Sequence, residues 1–355
     1  MSTRTVGVLG SHSAEEVGIS ASSNGFDSFV VCQKGREEFY TRYNAFLFTH
    51  HLTLQRFNHL IRPENIRKLQ EKNVIWFPNR SFSVYLDLES IENAFPIPIY
   101  GSRDLLGIED RRIQYKLLDQ AEIRRPLEFE NPDDVDRLAI VKVQQKNNPL
   151  ERAFFYISTP DEYDQKSKHL IRQDIIDESA LSDSIIEEFV IGPRFNANFQ
   201  SYGLSDEFGK FDFVGFDDRI QTNLSGLLNL PAHDQLGLNV PITNEEIGHK
   251  GVTMRESKKP LVYEAAKRFI ETTQRTHPPG IIGLFALQGA ITKESDFIVF
   301  DVSPRIPGSP CLGPTSPEMR RLRLKYNRDI LSPLDLCMME LRKAIDTERL
   351  DEVTT

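Results

Sequence analysis

The chain of 355 residues lacks paired cysteines, long apolar runs and an excess of positive charge, which are features that would indicate its class of protein directly. It has only three cysteines, Cys32, Cys311 and Cys337, and their spacing fits neither a disulfide framework nor a zinc site. No apolar run reaches the length of a membrane-spanning helix, and the opening MSTRTVGVLGSHS lacks the apolar core of a signal peptide. We therefore expect a cytoplasmic protein without a membrane partner.

An excess of positive charge is also missing. The sequence has 43 lysines and arginines against 52 aspartates and glutamates, which gives a net charge of −9. Nucleic-acid-binding proteins usually carry a basic surface, so we expect no nucleic-acid partner. The net charge does not exclude local basic pockets for small anions. The hydrophobic share of 39% is ordinary for a globular protein, and the length predicts two or three domains.

A predicted β-hairpin near the C-terminus is the most informative stretch. Two apolar strands, at 281–290 and 297–302, are joined by a polar turn. Each strand carries one residue that is out of place in a core, Gln288 in the first and Asp301 in the second. A buried carboxylate needs compensation, for which magnesium bound together with nucleotide phosphates is one candidate. An ordinary hydrogen bond in a turn, or an ion pair with Arg305, is the alternative.

The first hundred residues alternate between strands and helices. The predicted strands are 4–9, 29–32, 45–48 and 74–77, and the predicted helices are 14–24 and 63–72. This alternation predicts a parallel, doubly wound sheet, in which ligands bind at the carboxyl ends of the strands. Those ends carry groups suited to a phosphate: His12, Lys34 with Arg36, and Ser81. For His12 a plain position at a helix start is the alternative, and for Ser81 a helix N-cap.

The pattern changes near residues 101–107, where we place a domain boundary. A helix at 109–123 is followed by a strand at 138–143 that carries Lys142 near its end. A solvent-facing strand lysine is the alternative for Lys142. An acidic strand at 185–191 comes next, and the last few residues of the sequence are expected to be frayed.

The order of these features resembles the ATP-grasp fold. The helix that contains Lys116 precedes a strand ending in Val141-Lys142, an acidic strand follows, and the hairpin with Gln288 and Asp301 comes late. The resemblance implies a mixed α/β and α+β protein with an N-terminal Rossmann-like, parallel-sheet domain. It also implies a division into an N-terminal domain at 1–105, a small ATP-grasp subdomain at 106–200 and a C-terminal ATP-grasp domain at 201–355.

A narrower resemblance covers nearly the whole chain. Its motifs are LGSHS at 9–13, Ser81-Phe82, EEFVIG at 187–192, RES at 255–257, PPGIIG at 278–283 and RLDEV at 349–353. Together they are similar to the archaeal formate-dependent synthetase family of purine biosynthesis. That family uses ATP to formylate aminoimidazole-carboxamide ribonucleotide (AICAR) to 5-formaminoimidazole-4-carboxamide ribonucleotide. The resemblance implies a ligase with small-molecule substrates that forms homo-oligomers.

The resemblance also assigns roles to individual residues. The ribonucleotide would contact His12, Ser81, Lys34, Arg36 and His249. ATP would be held by Lys116, Lys142 and the run Glu187, Glu188, Phe189 and Val190. Gln288 and Asp301 would bind Mg²⁺ or Mn²⁺, and Lys142 with Arg305 would steady the transferred phosphoryl group.

The sequence departs from the family at the loops around the ligands. No glycine occurs between Ile108 and Ile191, so the glycine-rich phosphate lid of the family is replaced by VQQKNNPLER at 143–152. Glycine lets the backbone approach a phosphate closely, so this change bears on ATP binding. His249 stands where the family has asparagine. Three functions stay open: the AICAR ligase, an ATP-grasp ligase for another acid and amine, and a non-catalytic nucleotide-binding protein.

Overall fold

The computed structural model describes residues 4–143, 154–172, 175–220, 229–237, 247–308 and 312–355. The strands are β1 Thr5–Leu9, β2 Asp27–Gln33, β3 His50–Leu54, β4 Val74–Trp76, β5 Glu128–Phe129, β6 Ala139–Lys142, β7 Phe154–Ile157, β8 Ile185–Glu188, β9 Arg194–Ser201, β10 Phe211–Ile220, β11 Gly248–Val252, β12 Gly283–Ile291 and β13 Phe297–Ser303. The α-helices are α1 Ala14–Ser23, α2 Pro63–Glu71, α3 Arg80–Tyr85, α4 Leu88–Ala94, α5 Arg111–Gln120, α6 Pro160–Arg172, α7 Glu178–Ser182, α8 Ser205–Phe208, α9 Ala232–Gly237, α10 Lys259–Thr276, α11 Pro317–Tyr326 and α12 Pro333–Asp346. No helix among these residues is long and apolar enough to cross a membrane.

The N-terminal sheet is parallel, with strand order β3-β2-β1-β4. All five residues of β1 are buried, as expected for a central strand covered on both faces. Val8 belongs to a core cluster shared with α1 and α12, whereas Leu9 belongs to a second cluster shared with α2. Helices therefore cover both faces, and the predicted parallel, doubly wound sheet is confirmed.

The third strand of this sheet was predicted at 45–48, and that prediction is wrong. Ala45–Leu47 forms a 3₁₀ turn, and the strand is β3, His50–Leu54. Because β3 lies at the edge of the sheet, it alternates between partly buried and exposed positions instead of forming an apolar run. The apolar signal at 45–48 came from a turn in which Phe46 is 80% exposed.

A five-stranded antiparallel sheet with order β11-β10-β9-β12-β13 forms the centre of the rest of the chain. All nine residues of β12 are buried. Helices α5 and α10 contribute Leu118 and Phe269 to a core cluster with Phe199 of β9 and Phe285 of β12. The predicted hairpin at the C-terminal end is confirmed as the antiparallel pair β12–β13.

A smaller antiparallel sheet has the order β5-β8-β6-β7. Strand β8 ends at Glu188, and β9 of the larger sheet begins at Arg194, so residues 189–193 connect the two sheets directly. The predicted domain limits stay a proposal. Because β9 belongs to the larger sheet, the boundary between the small subdomain and the C-terminal domain fits better at residues 189–193 than at residue 200.

The end of the sequence is paired, not frayed as predicted. The backbone N–H of Ile99 donates to the carbonyl of Thr355, and the N–H of Thr355 donates back to Ile99, both at 3.0 Å. The N–H of Gly101 donates to Val353, whose side chain is fully buried. Ile99 in turn bridges to Trp76 of β4, so these C-terminal residues complete the margin of the N-terminal sheet.

Candidate active site

Lys142 and Glu187 form an ion pair on neighbouring strands of the smaller sheet. They lie on the same face because Glu187 is directly opposite Ile140, two residues before Lys142. The hydroxyl of Tyr115 on α5 donates to the other carboxylate oxygen of Glu187 at 2.5 Å. Burial lowers the pKa of Lys142 to about 8, and the guanidinium of Arg111 acts in the same direction. The site therefore holds a desolvated lysine against a buried carboxylate.

Arg111, at the start of α5, joins this pair to the hairpin. Its Nη2 lies 3.7 Å from Oδ1 of Asp301, and its Nη1 donates to the carbonyl of Phe300 and, at 3.3 Å, to the hydroxyl of Tyr115. Helix α5 thus brings the acidic strand of one sheet and the hairpin of the other together at one junction. We call the set Arg111, Tyr115, Lys142, Glu187 and Asp301 the nucleotide junction.

The two predicted metal ligands face each other across the hairpin. Gln288 of β12 is in register with Asp301 of β13, next to an irregularity between Gln288 and Gly289. Gln288 is buried and its amide donates to Ser303 at 3.1 Å, whereas the Asp301 side chain is 18% exposed. A carboxylate beside an amide oxygen fits Mg²⁺, which prefers oxygen ligands and usually combines one or two carboxylates with phosphates.

The part of the chain that the structure describes contains no group of three or more histidine, cysteine, aspartate or glutamate side chains that could hold a metal ion. An ion at Gln288 and Asp301 would therefore take its other ligands from a bound nucleotide and water.

Arg305 lies just past the hairpin. Its Nε donates to the carboxylate of Glu109 at 2.8 Å, and its Nη1 donates to the carbonyl of Ile306 at 3.1 Å. Glu109 lies two residues before α5, so the side chain of Arg305 is held near the start of the helix that supplies Arg111 and Tyr115. This places a largely buried cation close in sequence to the predicted metal ligands Gln288 and Asp301.

A second polar cluster brings His12 and His249 together. Their rings lie 5.8 Å apart in an edge-to-face arrangement, although one follows β1 and the other is on β11. Nδ1 of His249 is 2.6 Å from Oδ2 of Asp217, which is fully buried on β10. Asn196 and Asn198 of β9 also donate to this carboxylate, at 2.7 and 2.6 Å.

The loop after Arg305 covers this cluster. A side chain at position 308 would meet the imidazole of His249 at about 2.0 Å, so only glycine fits there in this arrangement. Ser13 bridges the ring of His12, at 3.0 Å, to the carbonyl of Pro307, at 3.4 Å. The predicted ribonucleotide contacts His12 and His249 therefore adjoin the loop that continues from the β12–β13 hairpin.

Ser81 is buried in α3, and the predicted N-cap alternative for it is wrong. The N-cap is Asn79, whose side chain accepts a hydrogen bond from the N–H of Phe82 at 3.2 Å. The amide of Asn79 also donates to the carbonyls of Leu9 and His12 at 2.9 Å, which fixes the loop after β1 next to α3. The role predicted for Ser81 toward the substrate stays a prediction.

The predicted basic groups Lys34 and Arg36 follow β2 and are exposed. Arg36 donates to the hydroxyl of Tyr85 at the end of α3 at 3.1 Å. Their role in phosphate binding stays a prediction.

The predicted adenine hinge lies where the two sheets join. The N–H groups of Glu188 and Phe189 donate to the carbonyls of Leu127 and Leu138, at 2.7 and 2.9 Å. Val190 packs in a small buried cluster with Ala290 of β12 and Ile298 of β13. The predicted hinge is therefore a packed connection between the two sheets, and its role toward ATP stays a prediction.

Lys116, the other predicted ATP lysine, is exposed on α5. It lies about 100° around the helix from Tyr115, because an α-helix has 3.6 residues per turn. Sequence reasoning missed Arg111 and Tyr115, which reach the junction from this helix. Their spacing of four places them on one helix face, and this was the signal available. The replacement for the phosphate lid lies, from residue 144 on, outside the described residues.

Solved structures share this architecture. The IMP biosynthesis protein PurP from Thermococcus kodakaraensis has a TM-score of 0.71 and 22% identity, over 99% of this chain and all of the other. The ADP complex of PurK, an N5-carboxyaminoimidazole ribonucleotide synthetase, has a TM-score of 0.59 and 11% identity, over 94% of this chain and 79% of the other. The fold is thus the ATP-grasp fold behind an N-terminal parallel-sheet domain, as the resemblance predicted.

Sequence comparison narrows this class to one family. Residues 6–129 match a family model described as a protein of unknown function (DUF1246), and residues 162–355 match a domain of unknown function (DUF1297). A relative from Methanopyrus kandleri named 5-formaminoimidazole-4-carboxamide-1-(β)-D-ribofuranosyl 5'-monophosphate synthetase is 34% identical, over 86% of this chain and 83% of its own. The relative of the same name from Methanothermobacter thermautotrophicus is 30% identical, over 99% and 94%. The chain belongs to this archaeal synthetase family, which confirms the resemblance.

Proposed function

We propose that the protein is an ATP-dependent ligase that joins formate to AICAR and forms 5-formaminoimidazole-4-carboxamide ribonucleotide. The observation that carries this proposal is the nucleotide junction, where Lys142, Glu187, Arg111 and Asp301 meet between two sheets. The names of the relatives support the choice of substrate and product.

The junction suggests how ATP is held. The adenine would lie along Glu187 to Val190, and Lys142 would approach the phosphates with its ion-pair partner exchanged in part for phosphate oxygens. Lys116 would contribute from α5. Gln288 and Asp301 would hold Mg²⁺ or Mn²⁺, which offsets the charge that phosphoryl transfer places on the phosphate oxygens.

The reaction needs no side-chain nucleophile. A formate oxygen attacks the terminal phosphorus of ATP, ADP leaves, and formyl phosphate results. The amine of AICAR then attacks the formyl carbon and phosphate leaves. Lys142 and Arg305 would stabilise charge on the transferred phosphoryl group, because both cations are largely withdrawn from water.

The ribonucleotide would bind at the second polar cluster. His12 and His249 would line that site together with Ser81, and the exposed Lys34 and Arg36 would attract its 5'-phosphate. These groups extend from the carboxyl ends of the parallel strands to β11, where the N-terminal sheet and the larger antiparallel sheet approach each other.

ADP release by the purified protein tests the proposal. With ATP and Mg²⁺, we expect release that requires both formate and AICAR. Release without dependence on AICAR would instead indicate an ATP-grasp ligase for another acid and amine. No release despite measurable ATP binding would indicate a nucleotide-binding protein without catalysis. Either of the last two outcomes overturns the proposal.

The setting of the enzyme is proposed on the same basis. We infer that it acts in the cytoplasm on small molecules and forms a homo-oligomer. Light scattering of the purified protein measures the oligomeric state, and a monomer at micromolar concentration would contradict that part.

A further inference from the structure

Arg194, the first residue of β9, is held by aromatic rings and not by a carboxylate. Its guanidinium carbon Cζ lies 4.5 Å from the centre of the Phe189 ring and 5.4 Å from the centre of the Phe300 ring. Within the ranges that the structure describes, the Arg194 side chain forms neither a hydrogen bond nor an ion pair. Cation–π contacts position a charge without neutralising it, so the positive charge of Arg194 stays available.

Three other cations at or beside the nucleotide junction do have carboxylate partners. Their ion pairs are Lys142–Glu187, Arg111–Asp301 and Arg305–Glu109. An anionic ligand has to displace a carboxylate from such a cation or share the cation with it. Arg194 is exposed and has no such partner among the described residues, so an anion can bind it directly.

The register of the larger sheet places Arg194 on the same face as the predicted metal ligand Gln288. Arg194 is directly opposite Ala290, and Asn196 is directly opposite Gln288. Residues two apart in a strand point to the same face and lie about 7 Å apart. The step from Gln288 to Ala290 leads toward the predicted adenine hinge, because Val190 packs against Ala290. Arg194 therefore lies between the hinge and the predicted metal ligand.

The smaller sheet meets this stack on the side of the nucleotide junction. Tyr156 of β7 contacts Phe189 edge-on, with the ring centres 5.0 Å apart. Tyr156 is directly opposite Ile140, and Ile140 is directly opposite Glu187. Directly opposed residues share a face, so Tyr156 lies on the side of the smaller sheet that carries Glu187. The row of rings that ends at Arg194 therefore starts beside the junction.

The stacked position indicates which ligand chemistry fits. A guanidinium with its flat surface against aromatic rings still offers N–H donors along its edge, and these match phosphate oxygens in a bidentate arrangement. The sequence has no glycine between Ile108 and Ile191. Because glycine lets the backbone approach a phosphate closely, a lid segment without glycine increases the need for side-chain donors.

We propose that Arg194 binds the nucleotide phosphate nearest the nucleoside, a group that ATP and ADP share, and that Phe189 and Phe300 are its positioning residues. This inference rests on the proposed function, which places a nucleotide between the hinge and the β12–β13 hairpin. The transferred phosphoryl group lies farther along, at the predicted metal ligands. Arg194 therefore contributes to nucleotide affinity and not to the step of phosphoryl transfer.

Binding of ADP and of adenosine to the purified full chain tests this role. Arg194→Met retains an apolar stem against the rings and removes the N–H donors. We expect the Kd for ADP, measured by calorimetry with Mg²⁺, to rise by about 10- to 100-fold, as for the loss of a charge-assisted hydrogen bond. The Kd for adenosine, measured by competition with ADP, should change by less than about threefold, because adenosine has no phosphate.

The matched control is Arg268→Met, which should leave both dissociation constants unchanged. Arg268 is exposed on α10, the helix that packs on the opposite face of the larger sheet through Phe269 and Phe199. In steady-state turnover, Arg194→Met should raise KM for ATP and leave kcat within about threefold of the unaltered enzyme.

Two results would overturn the role of Arg194. A Kd for ADP within about threefold of normal in Arg194→Met would show that its guanidinium does not bind phosphate. Equal weakening of ADP and adenosine would show that the side chain only packs the hinge. These measurements need neither formate nor AICAR, so they separate this inference from the ligase reaction. No binding of ADP by the unaltered protein would overturn the proposed function itself.

Phe300→Leu tests the positioning role of the ring. The change retains an apolar side chain on the hairpin and removes the flat surface next to the guanidinium. We expect the Kd for ADP to rise by about two- to fivefold, as for the loss of an exposed cation–π contact. Adding Phe300→Leu to Arg194→Met should cause no further rise, because both changes act through the same guanidinium. Rises that multiply in the double variant would overturn the role of Phe300.

Discussion

Two buried glutamates in this molecule each accept a hydrogen bond from a tyrosine, but their other partners differ in charge. Glu187 accepts a hydrogen bond from Tyr115 at 2.5 Å, and Glu340 of α12 accepts one from Tyr100 at 2.6 Å. Glu187 also faces the ammonium of Lys142. Glu340 instead accepts from the N–H of Leu204 at 2.9 Å.

The difference shows in how the two regions titrate. Burial raises the pKa of Glu340 to about 7, with its hydrogen bonds acting in the opposite direction. At the nucleotide junction, burial lowers the pKa of Lys142 to about 8, while Glu187 acts against that shift. A buried carboxyl group among neutral donors, such as Glu340, has a pKa of about 7 and connects the secondary-structure elements that supply those donors. A buried carboxyl group that faces a cation, as Glu187 faces Lys142, marks a place where a charged ligand can exchange partners.

The largest effect should come from Asp301→Asn, which removes a charge at the junction and leaves Glu340 untouched. We expect Mg²⁺-dependent turnover to fall by at least about 1,000-fold, because the carboxylate would hold the ion that offsets phosphate charge. The melting temperature should change by only a few degrees. Asp296→Asn in the exposed turn of the same hairpin is the matched control. Turnover that survives in Asp301→Asn would show that the hairpin is not the metal site.

Paired amide substitutions test the comparison directly. Glu187→Gln should lower turnover by about 100-fold, because burial without the carboxylate lowers the pKa of Lys142 further and leaves less cation for the phosphates. Glu340→Gln should change turnover by less than about threefold, since its amide can still pair with Tyr100 and Leu204. Steady-state ADP release measures both, and equal losses would remove the distinction between the two regions.

The pH dependence of the free energy of unfolding tests the raised pKa of Glu340. The pKa of Glu340 is about 7 in the folded protein against an ordinary 4.5, so the folded state holds its proton up to higher pH. Its stabilising contribution is complete below pH 4.5 and is lost as pH rises through 7. The loss amounts to about 3 kcal/mol, at about 1.4 kcal/mol per pH unit. Urea unfolding at pH 5 and pH 8 should show most of this loss in the unaltered protein and not in Glu340→Gln.

The smallest expected effect concerns Lys116, whose position on α5 leaves it exposed. Lys116→Met should raise KM for ATP by about tenfold and leave kcat nearly unchanged, as expected for a cation that contacts phosphate from outside the buried junction. Arg112→Met, also exposed on α5, is the control. An unchanged KM for ATP in Lys116→Met would show that Lys116 does not contact the phosphates. Arg111 would then be the cation of α5 that serves the site.

Much of the fold followed from the pattern of apolar residues. The central strands β1 and β12 are buried along their whole length and mostly apolar, and both were predicted to within two residues of where they occur. Strand β3 was misplaced, because an edge strand with one partly buried face has little apolar signal. The pairing at Ile99 and Thr355 was missed since contacts so distant in sequence leave no local pattern.

The site was predictable where one residue was out of place in a strand. Gln288 and Asp301 stood out in apolar surroundings, and the structure places them in register. Asp217 was seen only as part of a polar stretch, because nothing in DDRIQ shows that one aspartate is buried and the next half-exposed. Arg111 and Tyr115 belong to a helix with many charges, where only the packing of α5 shows which face meets the junction.

The pairing of residues 353–355 with Ile99 and Gly101 has a consequence for synthesis in the cell. The hydroxyl of Thr355 donates to the carbonyl of Gly101, 254 positions earlier in the chain. A ribosome makes the parallel sheet before it makes residues 353–355, yet the margin beside β4 gains its last partner only when these later residues emerge. This domain is therefore completed only after the residues between 101 and 353 have been made, and until then its margin has unpaired backbone groups.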